Sequence, residues 1–187
     1  MKHTRRQATT PWLIPVLAGF LLLNTAHAAI NTTVPVSEES ASSIAVSLFP
    51  VSLKLERTNL FLTSPQVVFM NSERIGIRAI LQAYDHRPAD GVAISETGRA
   101  MLSGRVSYDR TTRQVLLHDA RVEQLDFDRA NAATQRFSHE LQSAWSTQVT
   151  NPIRADLPPH PYLAPFRNNI DNIAYDGKQI SLVLVYQ

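Results

Sequence analysis

Residues 128–149, DRANAATQRFSHELQSAWSTQV, constrain the fold more than any other stretch. They form the longest segment with helical periodicity, with Phe137, Leu141, Ala144, Trp145 and Val149 recurring every three or four residues along one side. Asp128 is the expected N-cap, and Asn151-Pro152 stops the helix. A long block patterned as strands precedes this helix, and a shorter strand pair follows it. A single amphipathic helix in that setting buries its stripe against the sheet, because nothing else in the chain is large enough to cover it. The expected class is α+β: a long curved antiparallel meander and one main helix, with a short N-terminal helix and a C-terminal β-hairpin.

Residues 1–28 read as a signal peptide. Lys2, Arg5 and Arg6 supply the positive end, Trp12 to Leu23 the apolar run, and Ala26-His27-Ala28 a small-x-small cleavage signature. The apolar run is shorter than the roughly 20 residues of a membrane span, with an uncleaved N-terminal anchor as the alternative reading. Cleavage after Ala28 leaves residues 29–187 as one exported domain. The chain carries 18 Lys and Arg against 16 Asp and Glu, and three of the cations belong to the signal, so the remainder has a net charge of −1. No basic patch then argues for nucleic acid. The absence of cysteine excludes disulfides, thiolate catalysis, Cys-bound zinc and lipid attachment through an N-terminal Cys.

Along the mature chain, Ala29 to Pro35 reads as a flexible lead-in. Ser37 caps a short helix with Glu38 and Glu39 in its first turn, and Pro50 ends it. The period then changes to two. Val51, Leu53 and Leu55 alternate with polar residues, and Leu60 to Thr63 reads as a continuation of that strand after a break at Asn59. Ser64-Pro65 marks an edge or a bulge, and Asn71-Ser72-Glu73 a turn. Ile75, Ile77, Ala79, Leu81 and Ala83 line one side of a long strand, which leads into a loop, Asp85 to Gly91. Ala100, Leu102, Val106 and Tyr108 line the next strand, where Gly98 and Gly104 suggest bends of a strongly curved sheet. Val115 to His118 and Arg121 to Phe127 pair back. Pro152 to Pro165 reads as extended or irregular, and Ile173 to Tyr186 as a hairpin turning at Asp176-Gly177.

No motif declares a reaction: G-x-S-x-G, a phosphate-binding glycine loop and H-E-x-x-H are all absent. His86, His118, His139 and His160 have no ligand spacing, so neither metal nor cofactor is expected. Ser138-His139-Glu140 lies mid-helix, where adjacent residues point apart, and reads as a solvated face. Asp119, Glu123, Asp126 and Asp128 could form a carboxylate cluster, but the last two flank a strand-to-helix junction, where capping is their ordinary use. The stripe itself has two readings. Phe137, Leu141 and Trp145 are either packed core or the lining of a cavity between helix and sheet. In the second reading Leu53, Leu55, Ile75, Ile77, Leu102 and Val106 face that cavity from the strands.

The order of these pieces resembles the YceB-like family of bacterial envelope proteins. The matching features are Leu48-Phe49-Pro50 after the short helix, Leu60 to Phe69 with its Ser64-Pro65, and Leu102 to Asp109, LSGRVSYD. Val115 to Val122, Asn151-Pro152 and the closing Tyr175-Asp176-Gly177-Lys178 complete them. The resemblance implies a fold like that of tubular lipid-binding proteins, in which a curved sheet wraps a helix, and a lipid or other apolar molecule as ligand. Relatives commonly carry a lipid-modified Cys at the cleavage site, whereas here the site is Ala28-Ala29, which implies a soluble periplasmic protein. The resulting expectation is a monomeric, non-enzymatic binder of a hydrophobic ligand, with peripheral or no membrane contact. The competing expectation is an envelope interaction or assembly factor whose core is fully packed.

Overall fold

The computed structural model describes residues 30–55, 57–85 and 94–186. The expected signal segment and most of the expected Asp85-to-Gly91 loop lie outside them. The elements run β1 (Ile30–Val36), α1 (Glu38–Val46), β2 (Val51–Lys54), β3 (Thr58–Phe69), β4 (Ile75–Asp85) and β5 (Ile94–Asp109), then β6 (Gln114–Phe127), α2 (Ala132–Gln148), β7 (Ile153–Asp156), β8 (Ile170–Tyr175) and β9 (Ile180–Tyr186). Six strands form a curled antiparallel sheet in the order β2-β3-β4-β5-β6-β7, and three form a second sheet, β1-β9-β8. The chain is α+β, as its patterning implies.

Period-two alternation puts one face of the large sheet inward, and cross-strand register keeps it continuous: Leu62 lies opposite Leu81, Ala79 opposite Ala100 and Ile77 opposite Leu102. Two different bodies cover that face. Over one part lies α2, whose Phe137, Leu141 and Ala144 join Leu55, Leu60, Leu62, Leu81 and Leu102 in one core. Over the other lie α1 and the small sheet, where Val36, Ala41, Ala45, Ile173, Ile180 and Leu182 join Val67 and Ile75 in a second. The helix is therefore not the sole cover of the sheet. The last hairpin acquires a third strand and becomes a layer of its own.

That third strand corrects the reading of the lead-in. Ile30–Val36 pairs along its whole length with β9, from Ile30 opposite Tyr186 to Val36 opposite Ile180, and Val36 is buried. Two further boundaries differ from expectation, and one is refined. Leu60 to Thr63 does not continue β2. The chain reverses, closed by the Leu55 N–H donating to the Thr58 carbonyl at 2.8 Å, and β3 runs back beside β2. Val115 to His118 and Arg121 to Phe127 belong to one strand, irregular where Asp119 takes a φ of 49°. The proline-dense stretch includes β7, which pairs with residues 114–117 of β6.

The cap of α2 is also displaced. Asn131 caps it through a reciprocal box with Thr134: the Thr134 N–H donates to Asn131 Oδ1 at 2.9 Å, and the Asn131 N–H to Thr134 Oγ1 at 3.0 Å. Asp128 has other partners. Its N–H extends the ladder to the Thr97 carbonyl, and its carboxylate accepts from Thr97 Oγ1 at 2.5 Å. Ser37 caps α1 as expected, accepting from the Ser40 N–H at 3.1 Å. This short helix also protects an edge. Beyond the reach of β2, the Val67 N–H of β3 donates to Ser42 Oγ at 2.8 Å and the Phe69 N–H to Glu38 Oε1 at 2.5 Å.

Two hairpin turns depend on aspartates. Asp109 Oδ1 accepts the N–H groups of Thr111 and Thr112, and Asp176 Oδ1 those of Lys178 and Gln179. The bond from Thr112 is the main reason the Asp109 carboxyl sits below its ordinary 3.8, and the bond from Lys178 does the same for Asp176. A carboxyl depressed by folding contributes stability that is complete above its unfolded value and is lost as pH falls through its folded one. Thermal unfolding between about pH 5 and pH 2 should show a midpoint that falls below pH 3.8. The double change Asp109→Asn, Asp176→Asn should flatten that fall. Parallel curves for both proteins would remove these turns as its source.

Candidate functional site

The structure divides the nine expected ligand-lining residues between the two cores. Phe137, Leu141, Leu55 and Leu102 are buried together under α2, with Leu53, Ile77 and Trp145 half-buried against them. Ile75 belongs to the other core, and Val106 packs on that one. The stripe is tight at its centre: Phe137 is 0% exposed, Leu141 3% and Ala144 8%. The Phe137 ring lies 6.0 Å from that of Phe127, and the Arg136 guanidinium lies 5.3 Å from its centroid.

Trp145 behaves differently. It sits at the C-terminal end of the stripe, and its Nε1–H donates to the Ala120 carbonyl of β6 at 2.9 Å. β7 pairs with β6 only as far as Leu117, and beyond it residues of β6 and α2 line a cleft of about 490 Å³. Trp145, Val122 and Val149 give it an apolar wall, and Arg121, Ser146 and Asn151 a polar one. Asn151 fixes the floor, accepting from the Asp119 N–H at 2.9 Å and donating to Asp119 Oδ1 at 3.0 Å. The Asp119 carboxyl also takes a hydrogen bond from Arg105, the principal reason it stays below its ordinary value. Arg121 has no hydrogen-bond or ion-pair partner among the described residues. The cleft therefore offers an aromatic face, two aliphatic side chains and one uncommitted cation.

Several polar arrangements escape the linear sequence. Ser103, buried on β5, accepts from Arg74 Nε at 2.9 Å and donates to the Glu123 carboxylate, while Arg74 also reaches the Asp119 carbonyl at 2.8 Å. This network ties the β3–β4 turn to two strands where the β5–β6 ladder is irregular. Asp85, its side chain fully enclosed, pairs with Arg136 at 2.5 Å and with Arg57 at 3.9 Å. Glu140 accepts from Thr58 Oγ1 at 2.5 Å, so the Ser138-His139-Glu140 run is not wholly solvated. Its Ser138 bonds back to the Thr134 carbonyl, and only His139 is exposed. The supposed carboxylate cluster disperses: Asp119 goes to Arg105, Glu123 to Ser103, Asp126 to Gln124 and Asp128 to Thr97.

One nucleophile–base contact does form. Ser107 Oγ lies 2.7 Å from His118 Nε2, diagonally across the β5–β6 hairpin, where strand parity could have placed it. No side chain among the described residues bonds the other ring nitrogen, so the orienting group of a catalytic triad is missing there. Among the described residues no three His, Asp or Glu side chains form a metal-holding group. No helix among them is long and apolar enough to cross a membrane. No protein-family model matches the chain, and no curated protein does.

Proposed function

We propose that this is an exported, non-enzymatic binding protein whose ligand is a lipid or another hydrophobic molecule with a polar head, held in the cleft beside Trp145. The observation that carries this reading is the composition of that cleft. Of the three stripe residues put forward as ligand contacts, Trp145 alone lines it, next to Val122, Val149 and the uncommitted Arg121. An acyl or other apolar portion against the indole, with an anionic head at Arg121, satisfies both walls. The volume lies within the roughly 300–1,000 Å³ usual for small-molecule sites. The signal-like N-terminus and the resemblance to envelope proteins support the location. Because Phe137 and Leu141 are packed, the proposed contact is at the end of the stripe rather than its middle.

Trp145 provides the test, because Trp12 leaves with the signal and the indole is then the single tryptophan. A long-chain fatty acid should shift its emission saturably, and Arg121→Glu should weaken that response. If the folded protein's emission ignores fatty acids and phospholipids alike, the lipid reading is lost. A second reading, an interaction or assembly factor of the envelope, would then lead. The sealed centre of the helix–sheet core favours it, since a packed stripe leaves function to the surface.

A further inference from the structure

The outer face of the large sheet, opposite both cores, carries a second cleft of about 530 Å³. Its shape follows from irregularities in the strands. Ser64 and Pro65 bulge out of β3 opposite Ala79, with Ser64 at a φ of 51°, and the β5–β6 register shifts between Met101 and Leu102. Bulges bend a sheet and re-aim its side chains. Between them the small residues Ala79 and Ala100 pair and turn inward, leaving a shallow floor. Two rows of outward side chains cross this floor. One runs Gln66, Arg78, Met101, Gln124, and the other Ile80, Arg99, Asp126.

Arg78 and Arg99 are diagonal neighbours in these rows, and neither has a hydrogen-bond or ion-pair partner among the described residues. Diagonal positions on adjacent strands lie about 7–8 Å apart, within reach of long side chains. Asp126 stands opposite Arg99 but accepts instead from Gln124 Nε2 at 2.6 Å. Two like charges held side by side with neither bonded to a carboxylate repel, and an anion between them converts that repulsion into attraction. Guanidinium groups match carboxylate and phosphate oxygens in pairs, through parallel N–H donors.

We infer that this outer cleft binds a small soluble organic acid, its carboxylate or phosphate group clamped between Arg78 and Arg99. Gln66 and Gln124 supply neutral donors at the two ends of the first row. Ile80, 45% exposed, and Met101 take the apolar remainder of the ligand. Asp126 makes the site less favourable for anions of high charge, which gives its replacement a sign opposite to that of the arginines.

The test follows the side-chain Nε–H signals of 15N-labelled mature protein titrated with inorganic phosphate and with acetate, chloride holding ionic strength constant. Arg78 and Arg99 should shift saturably. Arg78→Gln and Arg99→Gln should each weaken binding about tenfold, the loss of one charge-assisted hydrogen bond. Asp126→Asn should tighten it, and Arg113→Gln, in the distant β5–β6 turn, should leave it unchanged. Shifts that chloride reproduces, an Arg113→Gln loss as large as that of Arg78→Gln, or weaker binding by Asp126→Asn would each overturn the site. Perturbation by phosphatidylglycerol vesicles with no response to phosphate or acetate would overturn it too, in favour of a membrane-facing surface. None of these outcomes depends on Trp145.

Discussion

Replacing Phe137 by alanine should lower the unfolding free energy by about 3–5 kcal/mol, the range for a fully enclosed phenylalanine. The side chain is 0% exposed, lies with its ring tilted 47° to that of Phe127 and sits under the Arg136 guanidinium, so its removal leaves a void in the core. Urea titration followed by circular dichroism measures the cost. The result also bears on function. A ligand cavity at the centre of the stripe would already have vacant space beside Phe137, and the measured loss would then fall clearly below that range. Trp145→Ala, at the half-open end, should cost less than Phe137→Ala despite removing a larger ring. The reverse order would place the void at the wrong end of the helix.

The second large effect is electrostatic. Arg136→Ala should cost about 3 kcal/mol, because it takes a cation paired at 2.5 Å from a carboxylate with no exposed surface. Asp85 sits at the end of β4 with its side chain 0% exposed, and a second cation pairing with it, Arg57, is at 3.9 Å rather than 2.5 Å. The same change also removes the 3.8 Å ion pair from Arg136 Nε to Glu140, one turn along the helix, which keeps its bond from Thr58. Arg110→Ala is the matched comparison. It breaks an equally short pair, to Asp171, on side chains that are 60% and 35% exposed, and should cost less than about 1 kcal/mol. Comparable losses for the two variants in the same denaturant series would mean that Asp85 is well solvated after all.

Local periodicity made much of this fold legible. The inward sides of β4 and β5 follow simple alternation, and the stripe of α2 follows helical spacing. Both hairpin turns at Asp109 and Asp176 also carry the residues such turns require. What escaped depends on partners far along the chain. Asn31, Thr32 and Thr33 look like a polar tail until β9 supplies a ladder for them. Asp128 is as good a capping residue as Asn131, and only its bond to Thr97, on another strand, removes it from that role. The site divides in the same way. The stripe was readable as a stripe, but whether its middle is filled depends on Leu60, Leu81 and Leu102 arriving from three strands at once. The Arg78–Arg99 juxtaposition needs the register of β4 against β5, which single-strand patterns do not contain.

The pairing of β1 with β9 constrains when the molecule can become complete. Ile30 meets Tyr186 and Val36 meets Ile180, so the earliest described strand acquires its partner only from the latest. Contacts of such sequence separation form slowly, because a long loop must close before any bond rewards it. Helix α1 follows directly on β1, and its Ser42 and Glu38 protect the N–H groups of β3. A chain whose last strand has not yet arrived therefore lacks the small sheet and exposes Val67 and Ile75, which that layer covers. During synthesis, N-terminus first, the sticky intermediate persists until the C-terminal strand has been made. That interval, rather than the finished fold, is where such a molecule would need a chaperone.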